Sequence, residues 1–195
     1  FRQGLSNLLR QSGRFGEAET LNRAALATRL AKLGPEHPAV ASSLESLGRC
    51  MEQTDRPKEA FDAYSQALAI REKTAGAESP PVATMLTRVG VVELWLDRNI
   101  DAERSFRRLL DIEVKLHGAD SAQAGDAARW IANALKGQER EAEAEIFAKR
   151  ALAISEVTYG PDHVITAYDL ISLGLMFAGQ QRFDEAEPML VRALE

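Results

Sequence analysis

The sequence predicts an all-α fold, a solenoid in which antiparallel helix pairs are stacked one after another. The first observation behind this prediction is a strict 42-residue period that keeps several columns of residues in constant register. Such a period indicates a repeat array, because one unit cannot bury its apolar face alone and stacking buries it. The second observation is the helical spacing of apolar residues inside each period, and the third is the glycine between successive units.

Each column of the period holds one kind of residue. The acids are Glu17, Glu59, Asp101, Glu143 and Glu185, and each is followed by an alanine: Ala18, Ala60, Ala102, Ala144 and Ala186. The arginines ahead of the acids are Arg14, Arg56, Arg98, Arg140 and Arg182, and the leucines after them are Leu26, Leu68, Leu110, Leu152 and Leu194. The glycines between units are Gly34, Gly76, Gly118 and Gly160. Because every unit shares these columns, we interpret them as scaffold.

Residues 34–76 illustrate how one period folds. Gly34 suits a left-handed helix cap, and Pro38 suits the first helical turn, where a missing N–H costs little. The next apolar residues recur at helical spacing: Val40, Leu44, Leu47 and Met51. After a turn at residues 54–57, a second helix carries its inner face: Ala60, Tyr64, Ala67 and Leu68. Each period therefore predicts one pair of helices.

The charged and alanine columns have structural explanations within this pair. Glu59 lies in the first turn of the second helix, and Arg56 lies near the carbonyl end of the first helix, so both complement a helix dipole. The alanine column supplies small side chains where two helices meet closely.

The same pattern predicts ten helices over the whole chain. They are 1–12, 15–33, 38–53, 57–75, 80–96, 99–117, 121–137, 141–159, 163–179 and 183–195.

Composition excludes several classes of function. A net charge of −5, without a basic run, argues against a nucleic-acid partner. The longest nearly apolar stretch, residues 170–179, is too short to span a bilayer. Cys50 is the only cysteine, so no disulfide forms within the chain, and a cytoplasmic location is expected.

The period also predicts how the chain is organised. We expect a single solenoid domain over residues 1–195, with units at about 1–33, 34–75, 76–117, 118–159 and 160–195. The first residue is Phe1, and the period starts and ends inside a unit, so we expect a piece of a longer protein.

These repeats resemble the tetratricopeptide repeat. One unit matches at Leu44, Leu47, Gly48, Ala60, Tyr64 and Ala67, and the next at Leu86, Val89, Gly90, Ala102, Phe106 and Leu109. The tetratricopeptide period is about 34 residues. The longer period here, with its inter-unit segments at residues 33–40 and 159–164, is similar to the kinesin light chain type. The resemblance implies a right-handed superhelical solenoid.

The resemblance also implies a peptide-binding groove, lined by the first helix of each unit. The corresponding residues are Asn7, Arg10, Glu45, Arg49, Arg88, Val91, Trp95, Arg129, Trp130, Asn133, Tyr168, Ile171 and Leu175. Arginines pair with carboxylates in forked geometry and aromatic pockets supply hot spots, so an acidic segment with apolar anchors is the expected ligand. For Trp95, core packing beside Glu93 is an equal alternative.

The leading functional hypothesis is therefore a non-catalytic scaffold that binds a peptide segment of a partner protein. A second is a regulatory or sensory arm of a larger signalling protein or protease. A third is a self-assembly module, which would associate through apolar solenoid ends at Leu5, Leu8, Leu9, Leu190 and Leu194.

The sequence carries no pattern of a catalytic or metal site. His37 and His163 recur at the start of first helices, which favours helix capping over metal binding. No glycine-rich phosphate loop or nucleophile motif is present, and Cys50 is expected to be an inert buried thiol. We expect no enzyme activity, no cofactor and no metal.

Overall fold

The computed structural model describes the backbone of residues 2–194 and the side chains of residues 5, 6 and 8–194. These residues form ten α-helices, and no strand occurs among them. The helices are α1 (Arg2–Gln11), α2 (Phe15–Leu33), α3 (Pro38–Gln53), α4 (Pro57–Ala75), α5 (Pro80–Trp95), α6 (Asn99–His117), α7 (Ala122–Lys136), α8 (Glu141–Tyr159), α9 (Val164–Gly179) and α10 (Phe183–Arg192). The all-α prediction is confirmed, and the predicted helix ends agree within one residue except at the end of α10.

The helices fall into two compact units. Unit 1 spans residues 1–96 and contains α1–α5, and unit 2 spans residues 97–195 and contains α6–α10. Within each unit, every helix packs against the next one along the chain. The single-domain organisation expected from the period stays a prediction.

The glycine column ends the second helix of each pair. Gly34, Gly76, Gly118 and Gly160 have φ between 81° and 97° and ψ between 150° and 167°. Only glycine adopts this region readily. The sequence predicted the left-handed helical conformation, in which ψ is about 47°. The four glycines have the positive φ of that conformation, but their ψ is that of an extended chain. The chain therefore leaves each helix in an extended direction.

Small residues allow close contact between helices. The alanine column is buried throughout, with Ala60, Ala102 and Ala144 fully inaccessible to solvent. At Gly48 in α3, an added Cβ would lie 2.5 Å from the ring of Tyr64 in α4. Because carbon atoms cannot approach so closely, this crossing requires glycine.

Two histidines cap helices as predicted. The Nδ1 atom of His37 accepts a hydrogen bond from the Ala39 N–H at 3.1 Å, and His163 does the same for Ile165 at 3.2 Å. An acceptor Nδ1 is unprotonated, so each histidine is held in one tautomer.

The buried Cys50 receives a hydrogen bond from Asn22 at 3.4 Å. Burial raises the pKa of this thiol, which disfavours its reactive thiolate form.

The arginine column forms direct ion pairs, which adds to the dipole explanation. Arg140 at the start of α8 pairs with Glu143 in the same helix at 2.7 Å and with Glu103 of α6 at 2.6 Å. Arg182 repeats this arrangement with Glu185 at 2.7 Å and with Glu145 at 2.5 Å. The pairing with the acid on the second helix of the preceding helix pair, Glu103 or Glu145, was not predicted from the sequence. In these two cases, and for Arg56 with Glu19 at 2.7 Å, this acid links the second helices of two successive helix pairs.

Glu103 is the most enclosed acid of this arrangement. Its carboxylate accepts hydrogen bonds from Arg140 at 2.6 Å, Arg107 at 2.7 Å and Gln138 at 2.9 Å. Burial alone would raise the pKa of Glu103. The hydrogen bonds from Gln138 and Arg107 and the neighbouring positive charges outweigh it, so the pKa lies below its ordinary value.

We expect Ala144→Leu to lower the free energy of unfolding by about 1–3 kcal/mol, because the larger side chain overpacks a contact without free space. Ala142→Leu is the matched control, since Ala142 lies two residues away in the same helix and is exposed. Urea denaturation measures both variants. Equal stabilities of the two variants would contradict this placement of Ala144.

We expect Glu103→Gln to reduce the acid sensitivity of the fold. Because the pKa of Glu103 is lowered in the folded state, its ionised form stabilises the protein above the unfolded pKa of about 4.3. That contribution disappears as the pH falls through the folded pKa. Melting temperatures measured against pH should therefore decline less steeply in acid for Glu103→Gln than for the wild type. Asp111→Asn, at an exposed position of α6, should leave the acid profile unchanged.

Candidate functional site

Helix α7 presents a polar and aromatic face opposite a face of small buried residues. Ser121 starts the helix by accepting a hydrogen bond from the Ala124 N–H at 3.2 Å. The buried face consists largely of alanines, together with Ile131 and Leu135. The opposite face carries Asp126, Arg129, Trp130, Asn133 and Lys136, three or four residues apart. Since residues at this spacing are neighbours on a helix, they form one continuous surface.

Helix α9 carries a stripe of exposed apolar side chains. Val164 is 76% exposed, Tyr168 53%, Ile171 40% and Leu175 53%. Their spacing of four, three and four residues places them on one side of the helix. The other side is buried through Leu170, Leu173, Met176 and Phe177. We call Val164, Tyr168, Ile171 and Leu175 the α9 stripe.

A pocket of roughly 350 Å³ lies between these two faces. It is lined by Arg129, Trp130, Asn133, Val164, Ile165 and Tyr168. We call it the α7–α9 pocket. Trp130 is half-buried, and its ring stacks on the buried Phe106 of α6 with centroids 5.6 Å apart and an interplanar angle of 14°. The indole is thus held by the core on one side and is available as a pocket wall on the other.

Arg129 is engaged by two carboxylates of its own chain. Its guanidinium donates to both oxygens of Asp169 in α9, at 2.5 and 3.0 Å, and to Asp126 in α7 at 2.6 Å. The Asp169 side chain is 2% exposed, whereas that of Asp126 is 51% exposed. Burial would lower the pKa of Arg129, but these hydrogen bonds and charges raise it above its ordinary value. Arg129 therefore holds α7 and α9 together.

In unit 1, two of the predicted site residues are loosely paired arginines. The Arg49 guanidinium is 4.0 Å from Glu45, and that of Arg88 is 4.0 Å from Glu52. Both arginines keep a third or more of their side chains exposed. Glu45 is also 3.3 Å from Arg71 of α4, and Glu52 accepts a hydrogen bond from the Tyr64 hydroxyl at 2.7 Å. Arg49 and Arg88 are thus less tightly paired than Arg129.

The remaining predicted residues of unit 1 differ in exposure. Arg10 and Val91 are half-buried, and Trp95 is 46% exposed. The alternative placement of Trp95 in the core is therefore excluded, although Glu93 is buried two residues earlier. The prediction for Asn7 falls on a side chain outside those that the structure describes.

The structure brings together four predicted residues and adds others that sequence reasoning missed. Arg129, Trp130, Asn133 and Tyr168 line one pocket, while Ile171 and Leu175 continue the α9 stripe beside it. Val164 and Ile165 were missed as lining residues, and Asp169 was missed as the partner of Arg129. Val164 fits the apolar spacing of the stripe, so the sequence held a signal for it. Asp169 carried none, because its pairing depends on the approach of two helices.

A larger depression of about 530 Å³ is less suited to a ligand. It lies beside the turns before α6 and α8 and is lined by charged and amide residues together with an isoleucine and a glycine: Asp97, Arg98, Asn99, Ile100, Asp101, Gly137 and Gln138. These groups bond to one another. The Asn99 amide donates to the Gly137 carbonyl at 3.2 Å, and Gln138 donates to the Asn99 carbonyl at 3.2 Å. These polar groups are therefore used for hydrogen bonds within the protein and not for a ligand.

The described residues contain no group of three or more His, Cys, Asp or Glu side chains that could hold a metal ion. None of the described helices is long and apolar enough to cross a membrane.

Comparison with solved structures shows the fold. BtubC (BKLC) from P. vanneervenii superposes with a TM-score of 0.87 at 24% identity, covering 98% of this chain and 76% of that one. A kinesin light chain-like protein of Podosopora anserina, with nearly identical TPR-like repeats, has a TM-score of 0.88 at 20% identity, covering 98% and 91%. A Rap protein complexed with competence and sporulation factor has a TM-score of 0.74 at 16% identity, covering 100% of this chain and 52% of its own.

Comparison of the sequence gives the family. No curated protein matches it. The family model of the tetratricopeptide repeat matches residues 2–73, 81–156 and 123–195, which is nearly the whole chain. This confirms the resemblance to tetratricopeptide repeats, and the structural neighbours include kinesin light chain-like repeat proteins. The fold is typical of protein–protein interaction scaffolds. The chain belongs to the tetratricopeptide repeat family.

Proposed function

We propose that this protein is an interaction scaffold whose α7–α9 pocket and α9 stripe bind a peptide segment of a partner protein. The observation that carries the proposal is the α9 stripe, four large apolar side chains exposed on one side of a helix whose other side is buried. Contiguous exposed apolar surface is disfavoured in water and marks interaction sites. The adjoining pocket supplies two aromatic walls, Trp130 and Tyr168.

The pocket suits an apolar anchor of the partner. Trp130 is fixed by its stacking on Phe106, so little conformational entropy is lost when a ligand binds against it. Anchors seated in such pockets supply most of the binding energy of an interface. A volume of roughly 350 Å³ is at the lower end of ligand sites, which favours one large side chain over a whole small molecule.

For unit 1, considered by itself, we propose binding of an acidic segment. Arg49 and Arg88 are partly exposed and loosely paired, so their guanidinium groups can donate hydrogen bonds to carboxylates of a ligand. Arg129 is already engaged by Asp126 and Asp169. Its replacement would leave Asp169 buried without its cation, so a loss of binding in an Arg129 variant would not be distinguishable from a loss of stability.

A self-assembly role is a second candidate, supported by the exposed residues of α1. Leu5 and Leu8 are 52% and 63% exposed, whereas Leu47 and Cys50, one period later, are buried. A role as a regulatory arm of a larger signalling protein or protease, and a cytoplasmic location, stay predictions from the sequence.

We expect Tyr168→Ser and Leu175→Ser each to weaken binding of peptides selected from a random display library by roughly tenfold or more. Truncating a hot-spot side chain costs about 2 kcal/mol, and 1.4 kcal/mol is tenfold in affinity. Fluorescence polarisation with the selected peptides measures the loss. Ile146→Ser is the control, because Ile146 is exposed on α8 and does not line the pocket. Peptides that bind Tyr168→Ser and Leu175→Ser as well as the wild type would refute the proposal.

Self-association should show as a mass that rises with concentration in light scattering. We expect Leu5→Ser combined with Leu8→Ser to restore the monomer mass, since the substitutions remove the exposed apolar surface of α1. A wild-type mass that stays monomeric at high concentration would eliminate this candidate and leave peptide binding unaffected.

A further inference from the structure

The charges around the α7–α9 pocket differ in sign from those expected for an acidic ligand. Arg129 contributes one positive charge, and its two partners, Asp126 and Asp169, contribute two negative charges. Asp169 is enclosed and satisfied by two hydrogen bonds from the guanidinium. Asp126 receives one such bond and keeps half of its side chain exposed. The exposed group beside the pocket is therefore a carboxylate.

Glu113 of α6 is a further acid in unit 2. Its side chain is 13% exposed, and its Oε2 atom lies 3.4 Å from His117. Burial raises the pKa of Glu113, against the lowering effect of His117. Because a raised pKa disfavours the ionised carboxylate, Glu113 is not counted among the charges beside the pocket.

Besides Arg129, whose charge is paired with Asp126 and Asp169, this face of α7 carries one more cation, at its other end. Lys136 is exposed on α7, ten residues after Asp126 and therefore about 15 Å away along the helix. Near the start of α9, the loop carries another exposed acid, Asp162, two residues before Val164. His163 beside it is committed as a helix cap and stacks on Tyr159 with centroids 4.8 Å apart. The Asp126 end of the α7 face is thus acidic and the Lys136 end is basic.

We propose that the α7–α9 pocket selects a peptide whose apolar anchor is flanked by a lysine or arginine, with that cation placed against Asp126. This inference rests on the proposed peptide-binding function and specifies its ligand. A carboxylate at the same place would meet Asp126 as a like charge, and Arg129 has its donors directed at Asp126 and Asp169. Complementary charges at the rim of an interface raise the association rate and exclude partners of the wrong sign.

The test uses peptides selected on the full chain from a random display library, sorted by their sensitivity to Tyr168→Ser. Among the sensitive peptides, we expect a lysine or arginine next to an aromatic or aliphatic anchor. Asp126→Lys should weaken their binding by about tenfold. Exchanging the peptide's cation for Glu should restore binding to Asp126→Lys and weaken binding to the wild type. Such a charge exchange isolates the pairwise interaction.

Two further variants separate the charge of Asp126 from other effects. Asp126→Asn removes the charge with little change of shape, so it should give a smaller loss than Asp126→Lys. Asp111→Lys places the same charge change on an exposed position of α6 and should leave binding unchanged. Circular dichroism checks that all variants are folded.

The outcomes distinguish this inference from the function on which it rests. Sensitive peptides that carry an acid beside the anchor, or that bind Asp126→Lys as well as the wild type, would overturn the selection for a cation and leave peptide binding intact. A complete lack of peptides sensitive to Tyr168→Ser would overturn the peptide-binding function itself.

Discussion

The close approach of neighbouring helices at small side chains is the constraint on which the remaining structure depends. Ala60, Ala102 and Ala144 are fully buried, and the ring of Tyr64 occupies the space that a Cβ at position 48 would need. Because these contacts leave no free volume, each helix has only one rotation about its axis that packs well. That rotation decides which of its residues face outward. The functional surface is therefore a consequence of how the scaffold packs.

Helices α7 and α9 show this dependence most directly. The alanines of α7 bury one face completely, which leaves Asp126, Trp130 and Asn133 on the other. The buried side of α9 likewise directs its stripe outward. The buried ring of Phe106 stacks on Trp130. The pocket wall is therefore stabilised by the same core that sets the rotation of the helix. A rigid wall of this kind is what a binding site for an apolar anchor requires.

Arginines have two roles in this molecule, and their surroundings decide which. Arg140 and Arg182 each bind two carboxylates, one on their own helix and one on the second helix of the preceding helix pair. Arg129 lies in a different column but behaves in the same way, since it is 16% exposed and bridges two aspartates. Arg49 and Arg88 each have one carboxylate, at 4.0 Å, and are the arginines proposed for a ligand. These two roles cannot be distinguished from the residue type. They are distinguished by the number of carboxylates around each arginine and by their distances from the guanidinium.

The sequence by itself determined the helix pairs, nearly all of their ends, the buried alanine column and the capping histidines. These features depend on residues within a few positions of each other or on a repeated column, and both are visible along one chain. Only the tertiary structure decided that Trp95 is exposed, that Trp130 stacks on Phe106 and that Arg129 is neutralised by Asp169. Arg129 and Asp169 are 40 residues apart and lie on different helices. Whether such side chains meet depends on the distance and rotation of packed helices, which the order of residues does not reveal.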